Sequence, residues 1–429
     1  MSFLEHRWAR RSVIFGAAVI LVVLTAIPAI RLYGSSEYKK ALSDSGELNL
    51  DLASFEKGEI PDHQNAATWL QAGAAAIIWS PEDGDVIADV SKSGPYETWP
   101  EDLRRRIRDM LERHRGALET IHNAAELQES NYKIRYRDGL DAEIPDLLSL
   151  MQAARTLLAE ARIRAADGDE EQLLLVLATM GRLSMSLEEE RTLITDLIGI
   201  ACERLLWIVT AEVISVDQPW AAQPEFLENL RAILPPTNTA TMITGTLDAW
   251  TAIMLSDPSL GERSEDLKTL RDVSFFSRTF ESLNQAAVLN IRSDVLELLN
   301  TPFGRTPQRF TDLAPPTLAP NRNGIHEDHY GFLRALARSQ SIAAQRQLVL
   351  AAITLRTIGA TEGAYPQQAP EIKELVKPDP FTDRLLVYNL TADGKLIISL
   401  DGAPELLEQI ALPSMAKAIV PVVLPPIES

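Results

Sequence analysis

DLLSLMQAARTLLAEARIRAADGDEEQLLLVLATMGRLSMSLEEE, residues 146–190, decides the fold class. Apolar residues recur through it at helical spacing, and Asp167-Gly168-Asp169 interrupts them once. Asp169 has the side chain of a good N-cap, and Gln172 three residues on completes a capping box. The reading is a helix over about 146–166, a turn, and a second helix carrying Leu173, Leu174, Leu177, Met180, Leu183 and Met185. A third runs from about Arg191 to Ser215. Helices joined by such short turns pack as antiparallel neighbours. No fixed repeat period appears, so the expectation is a mainly α protein, an irregular helical bundle or solenoid.

Working upstream, Leu103, Ile107, Met110, His114, Ala117, Ile121 and Ala125 alternate at four- and three-residue steps and predict one helix over 101–128, with Pro100, Glu101 and Asp102 suited to its first turn. Tyr132–Tyr136 reads as a short extended piece. Asn65 to Trp79 predicts an Ala-rich helix whose small residues allow close packing, and Ser80-Pro81 reads as its breaker. Residues 31–62 are polar and read as a stalk.

Ahead of them, SVIFGAAVILVVLTAIPAI (12–30) holds no charge. At 1.5 Å per residue it spans about 28 Å, close to the hydrocarbon thickness of a bilayer. It is longer than a signal-peptide core and lacks a small-x-small cleavage site, so the reading is an uncleaved signal-anchor. Arg7, Arg10 and Arg11 precede it and Arg31 follows, which predicts a cytoplasmic tail (1–11), a transmembrane helix (12–30) and an exported, periplasmic body on a bacterial inner membrane.

The chain has 429 residues, 46% hydrophobic and 24% charged, enough for a large core and too ordered in composition for wholesale disorder. With 41 basic against 60 acidic residues, its net charge of −19 repels phosphate backbones and argues against nucleic acid as partner. A body this acidic should stand off an anionic bilayer surface. One cysteine, Cys202, excludes an intrachain disulfide and a Cys-based zinc site; in its apolar helix it reads as a small buried hydrophobe.

Downstream, residues 225–233, 238–255 and 264–299 are helical by pattern, giving an α-helical domain over 63–300. Residues 301–328 form a Pro-rich linker. The final unit, 329–429, is read as a long helix from Tyr330 to Ile358 and two strands, Leu385–Asn389 and Lys395–Leu400, turned at Asp393-Gly394, a small α+β module with a β-hairpin. Its apolar tail, VPVVLPPIES, is extended and must pack on the body or on a partner.

Two resemblances attach to these residues. Gly139–Asp169 together with Glu188–Leu206, and the earlier Asn65-Ala66-Ala67, resemble a family of uncharacterised membrane-anchored helical proteins of planctomycetes and related bacteria. That resemblance implies architecture and no reaction. The helix followed by Gly363, Tyr365, Pro366, Asp379, Pro380, Phe381, Tyr388, Asp393, Gly394 and Ser399 is similar to the C-terminal part of type II secretion pseudopilins. Pseudopilins join that helix directly to their membrane segment, whereas residues 31–329 intervene here. The resemblance therefore implies a borrowed helix-and-hairpin module, with a secretion or appendage role as one alternative.

Residues that could carry chemistry are few. His326, Glu327, Asp328 and His329 are the one cluster with metal-ligand residue types, but they lack the His-Glu-x-x-His spacing, and Asp328 can instead cap the helix at Tyr330. His114 and His122 are eight apart, too far for a helical zinc pair, and read as hydrogen-bonded histidines. Ser36-Glu37-Tyr38-Lys39 and Ser54-Phe55-Glu56-Lys57 match Ser-x-x-Lys without its partner motifs. Glu101-Asp102 and Glu188-Glu189-Glu190 read as helix starts and solvated faces. Trp69, Trp79, Trp99, Trp207, Trp220 and Trp250 are spread through the body, and Trp8 reads as interfacial. The expectation is an anchored interaction or scaffold subunit with a protein partner, no catalytic residue and no cofactor; the alternative is an envelope hydrolase or metal-dependent enzyme around His326 and His329.

Overall fold

The computed structural model describes residues 28–46, 48–92, 96–236, 239–256, 274–299, 322–401 and 419–427. The apolar run 12–30 lies outside them except for its last three residues, and no described helix is long and apolar enough to cross a membrane. Thirteen helices and a small three-stranded antiparallel sheet make up the described chain.

The 146–190 stretch folds as its local chemistry dictates. Helix α6 (Leu147–Asp167) starts where Asp146 accepts from the Leu148 and Ser149 amides and ends at Gly168, whose φ of 69° an L side chain would resist. Asp169 then accepts from the Gln172 amide and opens α7 (Glu170–Glu188). Thr192 caps α8 (Leu193–Ser215) in the same way through Thr195. α8 is apolar nearly all round and buried, as such a helix must be, and α6, α7 and α8 pack against one another.

Four shorter helices lie before them: α2 (Ala66–Ala76), α3 (Pro81–Lys92), α4 (Glu101–Arg113) and α5 (Arg115–His122). The expected helix 101–128 thus breaks at His114 and ends at His122. α3 is also a correction, because Ser80-Pro81 begins a helix rather than closing one. Ser80 and Asp83 exchange hydrogen bonds, Ser80 N–H to Asp83 Oδ2 at 2.9 Å and Asp83 N–H to Ser80 Oγ at 3.1 Å, and Pro81 sits at the first helical position, where its missing N–H is harmless. α2 lies on α5 so closely that a Cβ on Gly73 would come within 2.4 Å of Ile121 Cγ1.

The expected stalk is likewise corrected. Residues 28–44 form helix α1, whose small residues Gly34 and Ala41 face α11 (Ser274–Leu299). Beyond α1, Phe55 enters the main core. α9 (Pro224–Ile233) and α10 (Thr239–Ser256) complete the middle of the chain.

The last unit begins earlier than its sequence suggests and does not stand apart. α12 (Arg322–Glu362) is 41 residues long, about 60 Å, and takes in residues 322–328 of the expected linker; residues 300–321 lie outside the description. It packs along α8, α9 and α10, and its buried Arg356 donates to the Ile214 and Val216 carbonyls at the end of α8. After the short α13 (Lys373–Val376), β1 (Val387–Leu390) pairs with β2 (Leu396–Ser399) across the Asp393-Gly394 turn, as expected. The tail supplies a third strand, β3 (Val422–Leu424), in the register Leu396↔Leu424 and Ile398↔Val422. Leu396, Ile398, Val422 and Leu424 face inward and belong to the same continuous core as Leu70, Leu157 and Leu206. One core therefore runs through what the sequence divides at 301–328.

Candidate functional site

The acids expected on a solvated face, Glu188-Glu189-Glu190, instead close the corner between α7 and α8. Glu190 is 2% exposed; its Oε1 accepts from Lys57 Nζ at 2.9 Å and from the Tyr132 amide at 3.2 Å. Glu189 pairs with Arg182 at 2.8 Å and with Lys57 at 3.4 Å. Lys57 also donates to the Ser130 carbonyl, so this Ser-x-x-Lys lysine ties three loops together. Ser54 donates to the Asp51 carbonyl.

Glu188 turns the other way. Gly199, having no side chain, lets the Glu188 Cγ lie against α8; a Cβ there would come within 3.1 Å of it. Its carboxyl lies beside that of Glu203, which accepts from Trp207 Nε1 at 2.9 Å. Burial, and next the neighbouring charge of Glu203, push Glu188 well above the ordinary carboxyl range; burial also raises Glu203. Two adjacent carboxyls in a low-dielectric site disfavour double ionisation, which is the direction in which both groups are moved. Arg346 of α12 supplies the facing positive charge from a position 5.9 Å over the Trp207 ring. Asp196, 1% exposed beside Thr246, is pushed well above its usual range by burial as well.

Glu188 forms part of the wall of a groove of about 690 Å³ with Met185, Glu189, Arg191, Thr241 and Asp248. Glu189 is engaged by Arg182 and Lys57, and Asp248 by Arg292 at 2.9 Å. Glu188 thus brings to the wall of the groove a carboxyl whose charged form is disfavoured by burial and by Glu203. Sequence reasoning missed this arrangement because Glu188 and Glu203 carry no shared local motif.

A second groove, of about 630 Å³, lies between α8 and β3, lined by Ile208 and Ala211 on one side and Val420, Pro421 and Val423 on the other. Val420 is 52% and Val423 39% exposed, and Glu212 and Asp217 also line it. Gln345 fixes the strand's approach by accepting from the Val420 amide at 3.0 Å.

The other sequence candidates are dispersed. His326, Glu327, Asp328 and His329 lie within α12, so Asp328 does not cap a helix at Tyr330; their side chains are outside the described residues. Among the described residues no group of three or more His, Cys, Asp or Glu is arranged to hold a metal ion. His122 bridges Thr179 Oγ1 at 2.9 Å and Glu160 Oε2 at 3.1 Å, a hydrogen-bonded core histidine. His114 lies 3.4 Å from Asp83 Oδ2. Burial opposes the Asp83 charge, but the Arg113 guanidinium and Ser80 outweigh it and bring the carboxyl down to about 2. Cys202 is buried, which pushes its thiol up to about 12 and leaves it inert. Glu101 and Asp102 are exposed and paired with Arg108, Arg105 and Arg106. Of the tryptophans, Trp99 and Trp207 are buried, Trp79 donates to Thr156, and Trp220 and Trp250 stack edge-on with Phe226 and Phe332. They line no common groove among the described residues.

Fold and site together define a mainly helical protein with a small antiparallel sheet, one groove between the end of α7 and α10 and another between α8 and β3. No protein-family model, curated protein or solved structure matches the chain.

Proposed function

We propose that the chain is a single-pass membrane subunit, anchored by residues 12–30, whose helical body works by binding another protein. The groove between α8 and β3 carries this reading. It combines an apolar lining, Ile208, Ala211 and Val420, with the acid Asp217, Glu212 being paired with Arg162, in a body that holds 35 basic and 58 acidic residues beyond position 40. Such a site suits a partner segment with apolar side chains flanked by Lys or Arg. The body then faces the periplasm, on the strength of Arg7, Arg10 and Arg11 before the anchor.

The test is extraction of the full-length protein from its native membrane in mild detergent, followed by mass spectrometry of what co-purifies. A stoichiometric partner lost in Val423→Glu and retained in a variant of the groove beside Glu188, Thr241→Glu, supports the reading. Recovery of the wild-type chain alone, at monomer size, refutes it.

One observation favours a second reading, an envelope hydrolase. Glu188 and Glu203 are adjacent buried carboxyls, both raised by burial, and Glu188 lines the larger of the two grooves. Hydrolysis of envelope glycans or peptides that is abolished in Glu188→Gln, with the fold intact by circular dichroism, would favour it over the interaction reading.

A further inference from the structure

The helix that replaces the expected stalk carries a consequence for where the body stands. α1 and α11 run side by side in the same direction. Gly34 is so close to α11 that a Cβ there would come within 3.0 Å of Leu283, and eleven residues later the Ser45 carbonyl accepts from Arg292 Nη1 at 2.7 Å. Between these points Ala41 packs with Ala286 and Leu289, and Tyr38 joins them. The sequence offsets at the two ends are 249 and 247 residues, so the pairing keeps its register over about 16 Å.

That register can be followed back toward the apolar run. The same offsets set residue 280 level with residues 31–33. The run ends at Ile30. Leu32, 74% exposed, and Tyr33, 49% exposed, are on α1 at this same level, next to Arg31. Aromatic and basic residues gathered at the end of an apolar run are the composition of a membrane–water interface. Charge agrees: Arg31, Lys39, Lys40 and Arg278 outnumber Glu37, Asp44 and Glu281 here, in a body that is otherwise strongly acidic.

We propose that α1 and the first two turns of α11 form a two-helix foot that rests in the headgroup layer of the bilayer, with Leu32 and Tyr33 at the lipid interface. The occupant of this end is lipid, because the chain that precedes α1 is the apolar run itself. The foot holds the acidic body at a fixed distance and orientation instead of letting it stand off on a tether. This inference rests on residues 12–30 being the anchor.

The wild-type full-length chain, reconstituted in phosphatidylethanolamine–phosphatidylglycerol vesicles containing a diazirine-bearing phospholipid, tests it directly. After photolysis and proteolysis, mass spectrometry maps the lipid adducts. The expected result is adducts in 274–281 at a yield comparable to that in 31–33 and several-fold above that in 290–299. Adducts in 12–33 with none in 274–281 overturn the foot while leaving the anchor standing. An absence of adducts throughout 12–30 overturns the anchor, and the foot with it.

Discussion

Asn65, fully buried at the start of α2, is the side chain whose removal should be felt most sharply for its size. Its Oδ1 accepts from the Ala67 amide at 3.1 Å, capping the helix, and from the Asn131 amide at 2.9 Å. Its Nδ2 donates to the Asn131 carbonyl at 2.8 Å. One amide group thus closes a helix end and clamps a loop 66 residues away, beside the Ala66 N–H to Glu129 carbonyl bond at 2.9 Å. Asn65→Ala removes a cap worth about 1 kcal/mol and strands two buried backbone groups of Asn131 at roughly 1–3 kcal/mol each. Allowing for partial relaxation, the loss should be about 3–5 kcal/mol. Urea unfolding of the full-length chain in detergent measures it, and hydrogen exchange of the Asn131 amide localises it. Asn65→Ser should recover the cap alone, about 1 kcal/mol. An alanine variant within about 1 kcal/mol of wild type, with Asn131 still protected, would refute the clamp, since a buried hydrogen-bonded pair of backbone groups cannot be orphaned so cheaply.

The remaining local predictions concern packing and protons. Gly73→Ala should destabilise by about 1–3 kcal/mol through overpacking against Ile121 Cγ1 and the Ala117 carbonyl, and Gly73→Ala/Ile121→Ala should lose less than the two single changes combined, read from thermal melts. Glu188 is pushed above its ordinary value by burial and by Glu203, with Asp196 and Arg346 the other charges acting on it. The native state therefore holds more protons than the unfolded chain, and stability falls as pH rises from about 4.5 through the folded value. Glu188→Gln removes that linkage, so its stability should decline less than the wild type's over this range in pH-dependent urea titrations. Asp83, held down at about 2, acts in the opposite sense: its contribution is present above its unfolded value of 3.8 and is lost as pH falls toward 2.

Local chemistry was legible in the sequence and long-range pairing was not. Asp167-Gly168-Asp169 declares a helix end and a new cap within three residues, and Asp393-Gly394 declares a turn, because each works through backbone atoms next to it. Ser80-Pro81 was open to two readings from the same residues; a loop and a Pro-initiated helix share their composition, and only the Ser80–Asp83 exchange decides. α1 hides in a polar stretch because its packing face is made of small residues, Gly34 and Ala41, whose purpose is visible only once α11 lies against them. β3 joins a strand more than twenty residues earlier, and Glu188 meets Glu203 only because α7 and α8 are antiparallel with Gly199 between them. Nothing near Glu188 in the chain announces that it is buried.

Arg292 connects the two regions that matter most for these proposals, and its replacement can be argued through. Its guanidinium is 7% exposed; Nε and Nη2 both lie 2.9 Å from Asp248 Oδ1, while Nη1 reaches the Ser45 carbonyl. One side chain thus ties α11 to α10 at the groove lined by Glu188, and to the end of α1. Arg292→Met keeps the apolar stem and removes the charge, leaving Asp248 without this partner and Ser45 without its donor. Hydrogen bonds to a charged group contribute about 1.5–3 kcal/mol each, so protection should fall by at least tenfold at amides of residues 38–45 and 244–252. Helix α6, packed elsewhere, should exchange as in wild type, which separates a local release from global unfolding. If α1 were a tether resting on the body without specific attachment, its amides would exchange equally fast in both proteins. Unchanged protection in α1 alongside faster exchange in α10 would therefore leave the ion pair in place as a groove contact and refute the role of Arg292 in holding the foot.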